Sequence, residues 1–270
     1  MPNFYPELNE YINILFHSPL GEEGRRYMKE RNISPYTAKY WKLGYSPNSY
    51  TPKCYKELNQ NNVTKFWKKL NGRIIIPIFN QNGKLISLSG RAIFKGMWPK
   101  YDHYPFPAKR TLFGLYQNKN NIRKENKAVI TEGQIDVITA WQNNIRIITC
   151  SFGAHAGQEH FALLGRYTGH IYIVYDADPA GIRGTKNIKK LNKSDLDINL
   201  CFNLFPKGMD LDNWISTNTN PKDKFMDMLD NYQIYALKNK LKSDSSKELI
   251  SENNMEIFNT IHQKLSAFLK

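Results

Sequence analysis

The sequence predicts an α/β protein. An α+β N-terminal subdomain leads into a mostly parallel sheet flanked by helices, and a C-terminal helical bundle follows. Three observations predict this. Strand and helix patterns alternate from Ala128 to Leu204, the mark of βαβ units. Two apolar runs flank the turn sequence Asn80-Gln81-Asn82-Gly83, which reads as a hairpin. Helical patterns without strand signals fill both ends. The expected units are residues 1–127, 128–220 and 221–270.

Taken in order, residues 7–42 read as short helices. Ser34 stands at an N-cap position with Pro35 at the first helical position, and Tyr36, Tyr40 and Leu43 follow at helical spacing. Residues 44–71 read as irregular, punctuated by Asn and Pro. Arg73 to Phe79 is a strand run, and Lys84 to Ile93 is its hairpin partner. Residues 95–120 read as loop. Strands are then expected over 128–131, 145–150, 171–175 and 197–204, with helices over 134–143, 158–166 and 181–191 between them. From 221 to 270 the pattern is polar and helical.

Composition narrows the class. Apolar residues make up 41% of the 270, enough for a buried core, and no apolar stretch is long enough to span a membrane. The polar N-terminus does not read as a secretory signal. Three cysteines, Cys54, Cys150 and Cys201, lie far apart with no CxxC pair, which argues against a zinc ribbon, a disulfide framework and haem attachment. Free thiols suit a reducing cytoplasm. Cys150, at the end of an apolar strand, reads as a buried small residue.

The net charge of +14 is unevenly placed. Residues 1–127 hold 22 Lys and Arg against 8 Asp and Glu, residues 128–220 hold 8 against 9, and residues 221–270 hold 8 against 7. The excess lies entirely in the first unit, which points to a polyanionic partner, most simply nucleic acid.

The acids fall at strand ends. Glu132 follows the first strand of the alternating region, Asp176 and Asp178 the third, and Asp210 and Asp212 the fourth. Parallel strands align their C-terminal ends along one edge, so these acids are expected on one patch, with Asp136 one helical turn beyond Glu132. Clustered carboxylates repel unless cations lie between them. Oxygen donors without His or Cys select Mg²⁺ or Mn²⁺, not zinc. Gly133 and Gly181 let the chain turn tightly beside the acids. His155 and His160, which flank the Gly153 loop, read as exposed histidines without a catalytic partner. The aromatic segment Trp98 to Phe113 could stack on bases or pack a loop, and the sequence leaves both open.

Glu132-Gly133-Gln134-Ile135-Asp136-Val137 and Asp176-Ala177-Asp178-Pro179-Ala180-Gly181 together resemble the TOPRIM domain. The flanks are more specific. Asn71 to Ile78, Gly83 to Ala92, and Pro99-Lys100-Tyr101 with Leu112 to Tyr116 resemble, in order, the polymerase core of bacterial DnaG-type primases. Tyr27 to Ser34, with Leu43 to Pro47, is similar to that family's opening helices, and Phe205 to Asp212 to its third acidic motif. The resemblance runs from about residue 20 to 230. It implies an RNA primer synthase that joins ribonucleoside triphosphates on a single-stranded DNA template. Glu132, Asp176 and Asp178 would be catalytic and, with Asp210 and Asp212, would hold Mg²⁺ or Mn²⁺. Asp136, Gly133, Gly153 and Gly181 would support the site, and Arg73, Arg91, Lys100 and Tyr101 would line the nucleotide or template path. The family's zinc ribbon and helicase-contacting module have no counterpart in this sequence, which leaves three readings: a further partner such as a replicative helicase or a separate zinc-ribbon protein, a shorter mechanism without those functions, or an isolated core of a longer protein. A compact core of this kind suits a phage or plasmid replicon, and the sequence leaves host or viral origin open. Ser89, Ala154 and Asp102-His103 depart from the family pattern. A metal-dependent nuclease and a non-catalytic single-strand binding module remain the alternatives.

Overall fold

The computed structural model describes residues 3–53, 68–176, 178–191, 197–201, 204–206 and 209–233. The chain opens with three helices, α1 (Tyr5–His17), α2 (Glu22–Glu30) and α3 (Pro35–Tyr40). Ser34 caps α3 as its sequence position requires, its hydroxyl accepting from the Thr37 N–H at 3.1 Å. Strand β1 (Gly44–Ser46) comes next, then β2 (Arg73–Phe79), β3 (Leu85–Ala92) and β4 (Tyr101–His103). They form an antiparallel sheet in the order β1-β2-β3-β4. Ile74, Ile75, Ile76 and Ile78 of β2 are all fully buried, so this strand is covered on both faces. Each such side chain contributes about 1.5–3 kcal/mol of burial.

Helix α4 (Leu115–Glu125) leads to the second sheet, made of β5 (Ala128–Thr131), β6 (Ile148–Cys150), β7 (His170–Ile173) and β8 (Asp197–Leu200). Its order is β6-β5-β7-β8 and every pairing is parallel, as the alternation predicts. Between the strands run α5 (Gln134–Gln142), α6 (Gln158–Leu164) and α7 (Pro179–Leu191). The helices α8 (Leu211–Thr217) and α9 (Pro221–Asp230) follow. One continuous apolar core joins both sheets and their helices. A bridge between Phe113 and Cys150 ties the connector to the edge of the parallel sheet.

Several expectations are corrected. The supposedly irregular 44–71 contains β1, a three-residue strand fixed by its pairing with β2. The supposed loop 95–120 contains β4 and α4, the latter built of Asn- and Lys-rich turns that hide its apolar stripe. Three strands are shorter than read, because β6 begins at Ile148, β7 ends at Ile173 and β8 at Leu200, while α8 was not expected at all. His160 is buried, not exposed. Its Nδ1 accepts from the Gly157 N–H at 3.2 Å and its Nε2 lies 2.9 Å from the Ala108 carbonyl oxygen. Cys150 is buried as expected, Cys54 lies outside the described residues, and of the C-terminal helical bundle only α9 and its flank are described. No helix among the described residues is long and apolar enough to cross a membrane.

Candidate functional site

The parallel register places the strand ends side by side: Thr131 opposite Cys150, Ile130 opposite Ile173, and Ile173 opposite Leu200. The residues that follow them therefore meet at one edge. Glu132, Gly133, Asp136, Gly153, Asp176, Asp210 and Asp212 line a cleft of about 200 Å³, faced by Arg91, Lys100 and Tyr101 from the antiparallel sheet. The charge asymmetry of the sequence thus becomes two opposed walls, one acidic and one basic.

Local chemistry holds each wall in place. The Asp176 N–H donates to Glu132 Oε1 at 3.1 Å, which locks the first and third strand ends together. The Gly153 N–H donates to the Glu132 carbonyl at 2.9 Å, and Gly153 adopts φ +115°, a conformation that favours glycine. Asp136 turns its carboxylate back to the Gly133 N–H at 3.1 Å, capping α5. A Cβ on Gly133 would lie 2.4 Å from that carboxylate. At Gly181 a Cβ would lie 2.2 Å from the Asp176 carbonyl oxygen and 2.7 Å from Glu132 Oε1, so only glycine lets α7 approach the acids.

The electrostatics show that these acids share one field. Burial, then the Asp176 carboxylate, pushes Glu132 up to about 7 against the pull of the Asp176 N–H. Burial also raises Asp176, with Asp210 and Asp178 adding to it and Lys100 opposing. Asp136 is raised well above the usual carboxylate range by burial and by Asp176, Asp210 and Asp212. Mutual repulsion of this kind is what a bound cation relieves.

Not every expected residue reaches the cleft wall. Asp178 is exposed and caps α7, its Oδ1 accepting from the Ala180 and Gly181 N–H groups at 2.8 Å. Asp210 lines the cleft while capping α8, accepting from the Asn213 N–H at 2.9 Å. Arg73 is buried below the basic wall. It donates to the carbonyls of Gly90 at 3.3 Å and Pro99 at 2.8 Å, bracing the approach to Lys100 from beneath. Arg91 stacks its guanidinium 5.0 Å from the Tyr101 ring centroid, and its buried Nε has no hydrogen-bond partner. Burial pushes the Tyr101 phenol up.

The geometry adds residues that sequence reasoning passed over. Arg31, from the end of α2, lines the cleft and pairs with buried Asp212 at 2.9 Å. Gln134 is buried in the cleft lining and accepts from the Ser89 hydroxyl at 2.6 Å, linking β3 of the antiparallel sheet to α5. His103 and Phe152 close one side. The basic character of the first unit was the available signal for Arg31. Nothing in the sequence pairs it with an acid 181 residues away.

The donor set fits a hard divalent cation: carboxylate oxygens alone, with the buried Asp212 Oδ1 left without a hydrogen-bond partner. Among the described residues no three acids, histidines or cysteines yet gather around a single point. The capping bonds of Asp178 and Asp210 and the Arg31 pair with Asp212 hold the acids on separate anchors.

Residues 11–119 match the model of the DNA primase catalytic core, N-terminal domain, and residues 129–215 match a Toprim-like model. The DNA primase of Aquifex aeolicus is 30% identical over 213 residues, covering 72% of this chain and 42% of that protein. The chain thus spans about two fifths of the length of the curated relatives it matches. The E. coli primase catalytic core superposes with a TM-score of 0.72 at 21% identity, covering 89% of this chain and 83% of that one. A DnaG primase catalytic domain bound to ssDNA gives a TM-score of 0.71 at 21% identity, covering 83% and 78%.

Proposed function

The chain belongs to the DnaG-type primase catalytic cores, and on that premise we propose that it makes short RNA primers on single-stranded DNA by divalent-metal-dependent nucleotidyl transfer. The observation that carries this reading is the cleft itself, in which carboxylates from three strand ends face Arg91 and Lys100 across one space.

Glu132, Asp176, Asp178, Asp210 and Asp212 would hold Mg²⁺ or Mn²⁺. Bound there, such ions would neutralise triphosphate charge and favour attack by a primer or nucleotide 3′-oxygen on the α-phosphorus, with the α–β phosphoanhydride bond breaking and pyrophosphate leaving. The chain's own residues do the rest. Lys100, close enough to Asp176 and Glu132 to affect both, meets the phosphates of the incoming ribonucleotide from the basic wall. The Arg91 guanidinium, fixed on the Tyr101 ring, presents its fork to phosphate oxygens. Glu132 and Asp176, locked together through the backbone, keep their spacing as charge develops. Gly181 and Gly133 keep side chains out of the acid wall. In this reading residues 1–127 handle template and nucleotide and residues 128–220 carry the metal chemistry.

The test is synthesis. Purified protein with Mg²⁺ or Mn²⁺, ribonucleoside triphosphates and a mixed-sequence single-stranded template is expected to yield short oligoribonucleotides. Asp176→Ala is expected to abolish the product while leaving the circular dichroism spectrum unchanged. Cleavage of labelled strands without synthesis, or full activity in Asp176→Ala, would overturn the assignment.

A further inference from the structure

Six large apolar or aromatic side chains are exposed among the described residues, and three of them lie near one another outside the cleft lining: Tyr36 (72%), Tyr40 (44%) and Tyr116 (42%). The Tyr40 ring stacks on Trp141 with centroids 4.0 Å apart and planes 19° apart. Tyr36 runs nearly parallel to the same indole at 6.2 Å and 22°. Arg146 and Tyr116 both lie within electrostatic range of the Tyr40 hydroxyl. The Arg146 guanidinium lies 4.7 Å from the Trp141 ring centroid, and the Lys119 ammonium 5.1 Å from that of Tyr116.

The charge on this surface has one sign. Helix α3 carries no acid, α4 carries only Glu125 at its far end, and the one acid of α5 is Asp136, in the cleft. Such rings also occur at protein interfaces, and it is the cations without a carboxylate that favour a polyanion here. Rings and cations together match what single strands use, namely base stacking on aromatic planes with cations along the backbone. Helix α5 connects this surface to the cleft. Gln134 lines the cleft and Trp141 underlies the rings on the same helix, about 10 Å apart at 1.5 Å per residue.

We propose that this surface is a docking platform for single-stranded DNA. On it the template continues after leaving the cleft, stacking bases on Tyr36 and Tyr116 and setting phosphates against Arg146 and Lys119. The inference rests on the template-directed reading above. A template is a long strand that runs on past the cleft, whereas a primer is short and begins inside it, and that is why the platform is assigned to DNA.

The experiment measures binding by fluorescence anisotropy, using labelled oligo(dT) of about 6 and about 16 nucleotides, which bracket common single-strand site sizes. The full chain is compared with Tyr36→Ala/Tyr116→Ala and Tyr36→Phe/Tyr116→Phe. Tyr40 is left in place because it covers Trp141. The wild type is expected to bind the longer strand more tightly. The alanine pair is expected to weaken that strand by about tenfold or more while leaving the shorter one unchanged, as loss of two stacking planes requires. The phenylalanine pair is expected to match wild type. Unchanged binding of the longer strand, equal loss on both lengths, or no binding of either by wild type overturns the platform. So does a change of oligomeric state with DNA binding intact. Ring-dependent, length-dependent binding in a protein that makes no primer keeps the platform and removes the synthesis reading. Primer synthesis without length dependence does the reverse.

Discussion

Arg31 and Asp212 show how one side-chain pair can serve the site and the fold together. Asp212 is buried, one of its oxygens has no partner, and the other rests on a guanidinium whose side chain is 33% exposed. Removing the arginine leaves a buried carboxylate uncompensated. Arg31→Met is therefore expected to destabilise the protein by about 1–2 kcal/mol, the lower part of the range because Arg31 is partly solvated. Urea unfolding measures this, and a variant as stable as wild type would show that the pair does not contribute. Glu132 gives a second effect at this scale. Its folded value of about 7 lies above the ordinary 4.5, so the folded protein holds this proton more tightly than the unfolded chain does. That contribution is complete below about 4.5 and is lost as pH rises through about 7. In a chelating buffer the melting temperature is expected to fall between pH 5 and pH 8 for this reason. Glu132→Gln is expected to flatten that slope, and an unchanged slope in the variant would assign it to other groups.

Helix caps and strand ends decide where the side chains go. Replacing Ser34 by alanine removes the hydroxyl that caps α3 and is expected to cost about 1 kcal/mol, read as a lower unfolding midpoint at constant m-value. Gly181→Ala behaves differently. Its Cβ would strike the Asp176 carbonyl and Glu132, so the backbone must shift and both stability and the proposed primer synthesis are expected to fall, and a variant with wild-type turnover and melting temperature would contradict the close approach. Much of this scale was legible beforehand. The run Arg73–Phe79 coincides with β2, and the Ser34-Pro35 start of α3 holds, because apolar runs and cap chemistry are local signals. Strand β1 has three residues and takes its identity from pairing with β2, which no local pattern encodes. The cleft followed from acids placed after parallel strands, while Asp178 and Asp210 as caps, and Arg73 as a brace under Pro99, depend on contacts made only after folding.

At the scale of the whole molecule the charge is the organising feature. A net +14 is concentrated in residues 1–127, and Arg91 and Lys100 from that unit face the acids across the cleft, so in the proposed function a polyanion would be drawn to one side and a divalent cation to the other. Binding of single-stranded DNA then releases counterions, and the logarithm of the affinity falls linearly with the logarithm of salt at about −0.7 per phosphate contacted. If Arg91, Lys100 and two or three further cations meet phosphates, a slope of about −3 is expected. Lys100→Gln is expected to reduce its magnitude by about 0.7, whatever the DNA sequence, because a phosphate contact carries no base information. Lys29, an exposed lysine on α2 outside the cleft, is the control: Lys29→Gln is expected to leave the slope unchanged. Anisotropy titrations at several salt concentrations decide the matter. A slope near zero, or equal effects from Lys100 and Lys29, would mean that the positive charge acts as a diffuse field and that the basic wall does not grip the strand.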